Sequence, residues 1–256
     1  MVPKDCHLKK PKKLYLNDRT SVLEAAAEYG VVQIMRPPKT AEAFLNFLAS
    51  LGSLMFTEGE TPVFEHPLLN IVTNVNRKTK PKSVFHSDTS YVAQPPSISA
   101  LIAVEVPKSG GATIFSDQYT ALDSLDRDLR LLLYGAEVLH IATGVPGAQS
   151  TWHPLIRRNP VCGRNALFLT SIARCKQLRL TDGTDRTDLL RVLHDISLEC
   201  SPLIKHYWSL GDVLLWDNRC TMHAADHSAV NGSRTLFRGL IKGEVPIFGE
   251  TADMQS

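Results

Sequence analysis

The sequence predicts a mainly β fold with flanking helices, arranged as a double-stranded β-helix, the cupin-like jelly roll. Two observations support this fold class. Short apolar runs typical of strands, such as residues 98–106, 213–216 and 235–241, are spread along the chain. The helical patterns do not alternate regularly with these runs, as a doubly wound parallel sheet would require. The 256 residues, 43% of them hydrophobic, suffice for one core, so we expect a single domain over residues 1–256.

The N-terminal fifth is expected to be mostly helical with one strand. Residues 20–29 begin with Thr-Ser and end before Gly30, a pattern typical of a short capped helix. Residues 31–35 follow as a buried strand. Residues 40–51 place apolar side chains at helical spacing until Gly52. These elements precede the β-rich part of the chain and flank it.

The remaining elements are expected to surround a turn-rich centre. Residues 76–82, Asn-Arg-Lys-Thr-Lys-Pro-Lys, predict an exposed and mobile loop. Ser-Gly-Gly at 109–111 predicts a turn that leads into a strand at 112–115. Residues 118–137 and 184–199 have helical patterns.

The net charge gives little support to a nucleic-acid partner. The net charge of +2 is too small to indicate a polyanion partner, although residues 4–13 contain five lysines. No aromatic side chains interleave with these lysines, as a nucleic-acid stacking surface would need. We therefore expect residues 1–18 to form a flexible, solvated, basic end segment, and we do not expect a nucleic-acid partner.

Cysteine spacing and hydropathy indicate a compartment. The five cysteines are an odd number and form no C-x-x-C pair, so neither a disulfide framework nor a zinc knuckle is predicted. No run approaches the roughly 18 apolar residues that cross a membrane, and no apolar signal segment is visible. These features predict a soluble, cytoplasmic protein without a membrane partner. They leave the oligomeric state open, a homo-oligomer included.

Two separated histidines and an aspartate are the strongest candidates for chemistry. His86 and Asp88 would leave one face of an extended strand together, because side chains alternate across a strand. His223 follows an apolar strand and an Asp-Asn turn, which can return a second strand toward the same interior. Two histidines and one carboxylate are the ligand set of non-haem Fe(II) oxygenases. The alternative is a chance tripeptide beside a core histidine, with His153 and His227 as rival ligands.

A second cluster contains two arginines and a threonine. Arg234 and Arg238 lie four residues apart on a predicted strand, which puts both on one face. Guanidiniums inside a barrel need buried anions, and a carboxylate can bind one in bidentate fashion. 2-Oxoglutarate meets this need if it chelates the metal through its keto and C1 carboxylate oxygens, while Arg234 and Thr113 hold its C5 carboxylate. On a rim strand, the same arginines would instead be solvated.

The order of these motifs resembles the taurine dioxygenase-like family of Fe(II)/2-oxoglutarate-dependent oxygenases. The resemblance covers about residues 20–245. It rests on four motifs, which are His86-Ser87-Asp88, Ser109-Gly110-Gly111-Ala112-Thr113, Trp216-Asp217-Asn218-Arg219-x-x-x-His223 and Arg234-x-x-x-Arg238.

The resemblance implies a role for each candidate residue and names O2 as the oxidant. The implied Fe(II) ligands are His86, Asp88 and His223. The implied holders of the 2-oxoglutarate C5 carboxylate are Thr113 and Arg234. Arg238 would support this co-substrate or meet an anionic group of the substrate.

The resemblance also limits the choice of substrate. Family members that bind taurine carry a histidine and a tyrosine ahead of the metal motif, and residues 52–63 contain neither. Lys82 stands four residues before His86, where such members have an amide. The resemblance therefore argues against taurine. We expect Asn74, Lys82 and Arg238 to contact the substrate, with exposed loop positions as the alternative for the first two.

The leading hypothesis is an Fe(II)/2-oxoglutarate-dependent dioxygenase that oxidises, and by default hydroxylates, a small anionic or amino-acid-like molecule. Desaturation, cyclisation and epimerisation begin with the same hydrogen abstraction and stay open. A metal-dependent cupin-like isomerase or binding protein would keep the metal ligands but would have no use for Arg234 and Thr113. A nucleic-acid demethylase would draw on the basic N-terminus, and the small net charge argues against it.

Overall fold

The computed structural model describes residues 10–15, 19–75, 83–143 and 149–250. Within these ranges the helices are α1 (Arg19–Tyr29), α2 (Ala41–Leu51), α3 (Gln118–Asp123), α4 (Arg127–Leu133) and α5 (Leu189–Glu199). The strands of the same ranges are β1 (Lys12–Tyr15), β2 (Val31–Met35), β3 (Leu54–Met55), β4 (Pro62–Val63), β5 (His66–Thr73), β6 (Pro96–Glu105), β7 (Thr113–Asp117), β8 (Glu137–Ile141), β9 (Ser150–Pro154), β10 (Ile156–Arg158), β11 (Asn165–Leu167), β12 (Cys175–Arg179), β13 (Leu203–His206), β14 (Val213–Asp217), β15 (Thr221–Ala225), β16 (Thr235–Lys242) and β17 (Ile247–Phe248).

Strand pairing produces one large sheet and three small ones. The large sheet has the order β1-β2-β14-β6-β16-β5-β4, with β3 paired to β16 at its side. The small sheet β13-β7-β15 packs against it, and the rings of Phe115 on β7 and Trp216 on β14 lie 5.4 Å apart. Neighbouring strands are far apart in sequence and mostly antiparallel, which is the arrangement of a jelly roll. The predicted fold class is confirmed.

Strand β14 shows why the sequences of the central strands are continuous apolar runs. Val213 and Leu215 pack in the core beneath α1 and α2, whereas Leu214 and Trp216 pack in the core between the two sheets. All four side chains are fully buried. Because both faces of the strand are covered, the usual alternation of apolar and polar residues disappears.

Helix α2 packs closely on the large sheet. Its N-terminus is capped by Thr40, whose hydroxyl oxygen accepts a hydrogen bond from the Ala43 backbone N–H at 3.1 Å. The helix approaches β16 at Gly239, where an added Cβ would lie 2.2 Å from Leu48 Cδ1. Glycine at this strand position therefore lets the helix cover the sheet.

The predicted N-terminal elements are confirmed, and two later ones differ in extent. Helices α1 and α2 and strand β2 lie where the sequence places them. The single helix expected over 118–137 is divided, because Asp126 starts a new helix by accepting from the Leu129 N–H at 2.8 Å. The helix expected over 184–199 begins only at Leu189. None of the described helices is long and apolar enough to cross a membrane.

Part of the expected flexible end segment is ordered. Residues 12–15 form β1, which pairs in parallel with β2 so that Leu14 lies opposite Ile34. The Lys12 ammonium also lies 4.7 Å from the centre of the Tyr29 ring. The expectation of a flexible segment is therefore wrong for these four residues. Residues 1–9 and 16–18 lie outside the described part of the chain.

Candidate metal centre and co-substrate site

The structure brings the three predicted metal ligands together. The ligand atoms of His86, Asp88 and His223 all lie within 4.8 Å of one another. Asp88 Oδ1 is 3.7 Å from His86 Nε2, and Asp88 Oδ2 is 3.7 Å from His223 Nε2. Neutral imidazoles and a carboxylate grouped in this way suit Fe(II) and would leave further coordination positions open.

Backbone pairing sets the distance between the two histidines. The His86 N–H donates to the His223 carbonyl at 3.0 Å, and the His223 N–H donates to the His86 carbonyl at 2.9 Å. The predicted strand through His86 is wrong, because this pair is an isolated bridge and residues 88–91 form a turn. His86 and Asp88 nevertheless reach the same site. The side chain between them, Ser87, does not join it, because its hydroxyl donates to the Leu169 carbonyl at 2.8 Å.

Both imidazoles are prepared to offer a lone pair. His86 Nδ1 donates to the Val84 carbonyl at 2.9 Å, which leaves Nε2 as the unprotonated nitrogen beside Asp88. Burial, together with the nearby His86, lowers the pKa of His223 to about 3. His223 is therefore neutral near pH 7, as a metal ligand must be.

Asp88 is held as a carboxylate by three kinds of neighbour. Burial alone would raise its pKa, but the charge of Arg238 and the adjacent imidazoles of His223 and His86 keep the pKa well below its ordinary value. Arg238 Nη1 donates to Oδ1 at 2.8 Å, and the Ser99 hydroxyl donates to Oδ2 at 2.7 Å. The metal ligand is thus anionic and fixed in orientation.

A hydrogen-bonded chain extends behind Asp88. Asn218 Nδ2 donates to the Ser99 hydroxyl oxygen at 2.7 Å, and Trp216 Nε1 donates to Asn218 Oδ1 at 3.1 Å. All three of these residues are buried. Sequence reasoning assigned no role to Ser99, although a polar residue inside the apolar run of β6 was a signal that could have found it.

The turn after β14 delivers His223 from one sheet to the other. Asp217 ends β14 in the large sheet, and His223 lies on β15 in the small sheet. Within the turn, Arg219 donates to both carboxylate oxygens of Asp217, at 2.8 Å from Nε and 2.7 Å from Nη2. Both residues are buried, so this bidentate pair fixes the turn in the way that the Asp-Asn pattern predicts.

Arg234 and Thr113 lie side by side in the interior. Arg234 Nη2 donates to the Thr113 hydroxyl at 3.3 Å, and its Nε donates to the Gly111 carbonyl at 2.8 Å. Arg234 is only 1% exposed, and burial lowers the pKa of its guanidinium to about 10. No carboxylate of the described residues lies within 4.0 Å of this guanidinium. A buried cation in such surroundings calls for an anion.

The glycines of the Ser-Gly-Gly motif permit this contact. Gly110 and Gly111 have φ angles of +73° and +72°, which favour glycine. A Cβ at Gly110 would lie 2.3 Å from the Ala229 carbonyl oxygen, and one at Gly111 would lie 3.0 Å from Arg234 Cδ. The motif therefore leaves room for the arginine beside Thr113.

The metal ligands and the arginine site are separated by a short stretch of paired strand. Phe115 lies opposite His223, and Thr113 lies opposite Ala225. Two residues of antiparallel strand span roughly 7 Å. A five-carbon dicarboxylate bound at Thr113 and Arg234 can therefore extend its other end toward the metal ligands.

The structure places the three residues predicted to contact the substrate differently. Arg238 lies at the metal centre, where it contacts Asp88 and, through Nη2 at 3.3 Å, Glu60. Asn74 instead uses its amide to hold backbone: Oδ1 accepts from the Arg234 N–H at 2.8 Å and Nδ2 donates to the Gly232 carbonyl at 3.1 Å. We therefore assign Asn74 to positioning of Arg234. Lys82 lies outside the described residues.

The rival histidines do not join the ligand group. His153 is buried, donates from Nε2 to the Ser90 carbonyl at 2.9 Å and packs against His140 and Phe168. Burial lowers its pKa to about 4, so it is a neutral structural residue. His227 follows β15 and is likewise absent from the group of His86, Asp88 and His223.

A cavity of about 200 Å³ opens beside the metal ligands. His86 and Asp88 form part of its wall, so a molecule in this cavity would lie next to a bound metal. Its charged and phenolic lining consists of Glu58, Glu60, Tyr91, Arg174 and Arg238. Sequence reasoning gave no role to Glu60, Tyr91 and Arg174. Glu60 and Arg174 lie in loops without a motif, and Tyr91 lies in the turn that follows Asp88.

The jelly roll and its two-histidine, one-carboxylate centre define a non-haem metalloprotein with a buried site for an anion. The sequence matches the family described as "Taurine catabolism dioxygenase TauD, TfdA family" over residues 3–240. The chain therefore belongs to this family.

Individual relatives agree with this assignment. The chain is 33% identical over 171 residues to the alpha-ketoglutarate-dependent 2,4-dichlorophenoxyacetate dioxygenase of Cupriavidus pinatubonensis. The aligned region spans 60% of this chain and only 58% of that relative. It is 29% identical over 246 residues to pentalenolactone F synthase of Streptomyces arenae, 81% of each. The structure resembles a taurine dioxygenase from Burkholderia xenovorans, with a TM-score of 0.77, 25% identity and coverage of 93% and 92%.

Proposed function

We propose that this chain is a non-haem Fe(II)- and 2-oxoglutarate-dependent dioxygenase. It decarboxylates 2-oxoglutarate to succinate and oxidises, by default hydroxylates, a small anionic or amino-acid-like substrate with O2. The observation that carries the proposal is the buried guanidinium of Arg234 beside Thr113, two strand positions from the metal ligand His223. A dicarboxylate that chelates the metal at one end would supply the anion that this guanidinium lacks.

Different residues of the site would hold the metal, orient the co-substrate and exclude water. His86, Asp88 and His223 would hold Fe(II), which together with bound 2-oxoglutarate would supply the activation of O2. Thr113 and Arg234 orient the co-substrate by its far carboxylate. The rings of Trp216 and Phe115, centred 4.6 Å and 6.1 Å from that of His223, keep this ligand in place and exclude water from its side of the centre.

Two observations support the substrate class. The cavity beside His86 and Asp88 carries the guanidinium of Arg174, which suits an acid. The relative from Cupriavidus pinatubonensis is named for 2,4-dichlorophenoxyacetate, which is a small carboxylic acid. We carry over only this general class, a small molecule with an acidic group.

The cupin-like alternative without 2-oxoglutarate accounts for fewer residues. An isomerase or binding protein would need the metal ligands, but it would have no use for a buried arginine beside Thr113. Membership of the TauD/TfdA family supports the dioxygenase proposal as well.

An anaerobic titration tests the proposal directly. Fe(II) and 2-oxoglutarate together should give the wild type a weak visible charge-transfer band. His86→Ala should abolish the band, and Arg234→Gln should require a much higher 2-oxoglutarate concentration to produce it. Arg191→Gln removes the same charge from the exposed face of α5 and should behave as the wild type. A wild type without the band, or a band that survives in His86→Ala, would exclude the proposed function.

A further inference from the structure

The cavity beside the metal ligands contains two guanidiniums whose surroundings differ. Arg238 faces two carboxylates, with Nη1 at 2.8 Å from Asp88 Oδ1 and Nη2 at 3.3 Å from Glu60 Oε1. It is 11% exposed, and its position is fixed by these contacts. Its positive charge is therefore already offset by the protein.

Arg174 is the cation in this cavity that has no carboxylate partner among the described residues. Its Nε donates to the Thr143 hydroxyl at 3.2 Å, and its guanidinium carbon lies 5.9 Å from the centre of the Tyr91 ring. The five residues after Thr143, Gly-Val-Pro-Gly-Ala, contain no acid that could pair with it. The Nη1 and Nη2 donors of Arg174 are thus available to an anion in the cavity.

We infer that Arg174, and not Arg238, binds the acidic group of the primary substrate. Two oxygens of a carboxylate, sulfonate or sulfate ester can accept from its two Nη groups, with the substrate body against Tyr91 and its reacting carbon toward His86 and Asp88. Glu60, whose carboxylate lines the same cavity, would repel a second acidic group near Arg238. This inference rests on the proposed function, because it concerns the substrate of that reaction.

The test uses pairs of small molecules that differ only in charge. The probes are an aryloxyacetate and its primary amide, an alkanesulfonate and the matching methyl sulfone, and an alkyl sulfate and the matching alcohol. Binding is measured under nitrogen as a perturbation of the Fe(II)–2-oxoglutarate visible band, and turnover in air as succinate formation. In the wild type, at least one acid should perturb the band and stimulate succinate formation more than its neutral partner does.

Variants then assign the contact. Arg174→Gln should weaken binding of the best acid by about tenfold or more, while the 2-oxoglutarate concentration that half-saturates the band stays unchanged. Arg174→Lys keeps the charge without the fork of donors and should lie between the two. Lys176→Gln removes one charge from an exposed position two residues away and should match the wild type.

The outcomes separate this inference from the proposed function. The inference is overturned if Arg174→Gln binds the acid as the wild type does, if neutral partners bind as well as acids, or if no acid perturbs the band at millimolar concentration. In each of these cases the Fe(II)–2-oxoglutarate band itself remains and the proposed function stands. Absence of the band in the wild type would instead remove the proposed function, and this inference with it.

Discussion

Replacing Ser99 with alanine should weaken metal binding without touching a metal ligand. The Ser99 hydroxyl donates to Asp88 Oδ2 at 2.7 Å and accepts from Asn218 Nδ2 at 2.7 Å, in a fully buried position. Removing a partner that orients a ligating group typically costs about 10–100-fold in metal affinity. The variant also loses a hydrogen bond to a carboxylate and leaves an amide hydrogen without its acceptor, so the free energy of unfolding should fall by about 3 kcal/mol.

Ser97→Ala is a matched control for this experiment. Ser97 lies on the same strand, and its hydroxyl contacts only the carbonyls of Ile241 and Lys242, each at 3.4 Å. These long contacts are weak, so the control should lose less than about 1 kcal/mol.

Two measurements check the prediction for Ser99→Ala. Fe(II) affinity is obtained by anaerobic titration in the presence of saturating 2-oxoglutarate, and the free energy of unfolding by urea denaturation of the metal-free protein. If Ser99→Ala binds Fe(II) as tightly as Ser97→Ala, the chain from Trp216 to Asp88 does not orient the ligand, and the reasoning is refuted.

Three further variants examine the co-substrate contact, the Ser-Gly-Gly turn and an ion pair beyond β15. Thr113→Val keeps the shape of the side chain but removes its hydroxyl, so the concentration of 2-oxoglutarate that half-saturates the visible band should rise about tenfold while Fe(II) binding is unchanged; an unchanged value would contradict the assigned contact. Gly110→Ala places a Cβ 2.3 Å from a backbone oxygen at a φ of +73°, and urea denaturation should show a loss of more than about 2 kcal/mol. Hydrogen bonds from Ser228 and Lys205 lower the pKa of Asp226 to about 2, so these contacts stabilise the fold above its ordinary pKa of 3.8. The difference in stability between wild type and Asp226→Asn should therefore shrink as the pH falls through about 2, and a difference independent of pH would argue against this origin.

Local patterns explain why much of the site could be predicted from sequence. His86, Asp88 and His223 are residue types that bind metals, and they can form one ligand group only if two distant segments of the chain meet. Arg234 beside Thr113 follows from the same topology, since an arginine directed into a barrel needs an anion. The apolar runs and capping residues that predicted α1, β2 and α2 are likewise local signals.

The remaining contacts depend on three-dimensional proximity that no local pattern encodes. Glu60 meets Arg238 across 178 residues of chain (238 − 60), from the loop between β3 and β4. Arg174 enters the cavity from the loop before β12, and nothing in its sequence neighbours distinguishes it from the other arginines of the chain. Strand β1 was missed because its lysines resemble a solvated segment, although the parallel edge of β2 offers it backbone partners.

The reciprocal backbone bridge between His86 and His223 bears on which metal the protein selects. The bridge joins positions 137 residues apart (223 − 86) and holds the two imidazoles near each other through main-chain hydrogen bonds. A ligand face that is assembled beforehand accepts Mn(II), Co(II), Ni(II) or Zn(II) without rearrangement, and the affinity for these ions follows their intrinsic order rather than the order of catalytic usefulness. Fe(II) stands near the weak end of that order. Selection of iron is then expected to depend on the supply of ions in the cell, and preparations exposed to zinc or nickel should be folded, loaded and inactive.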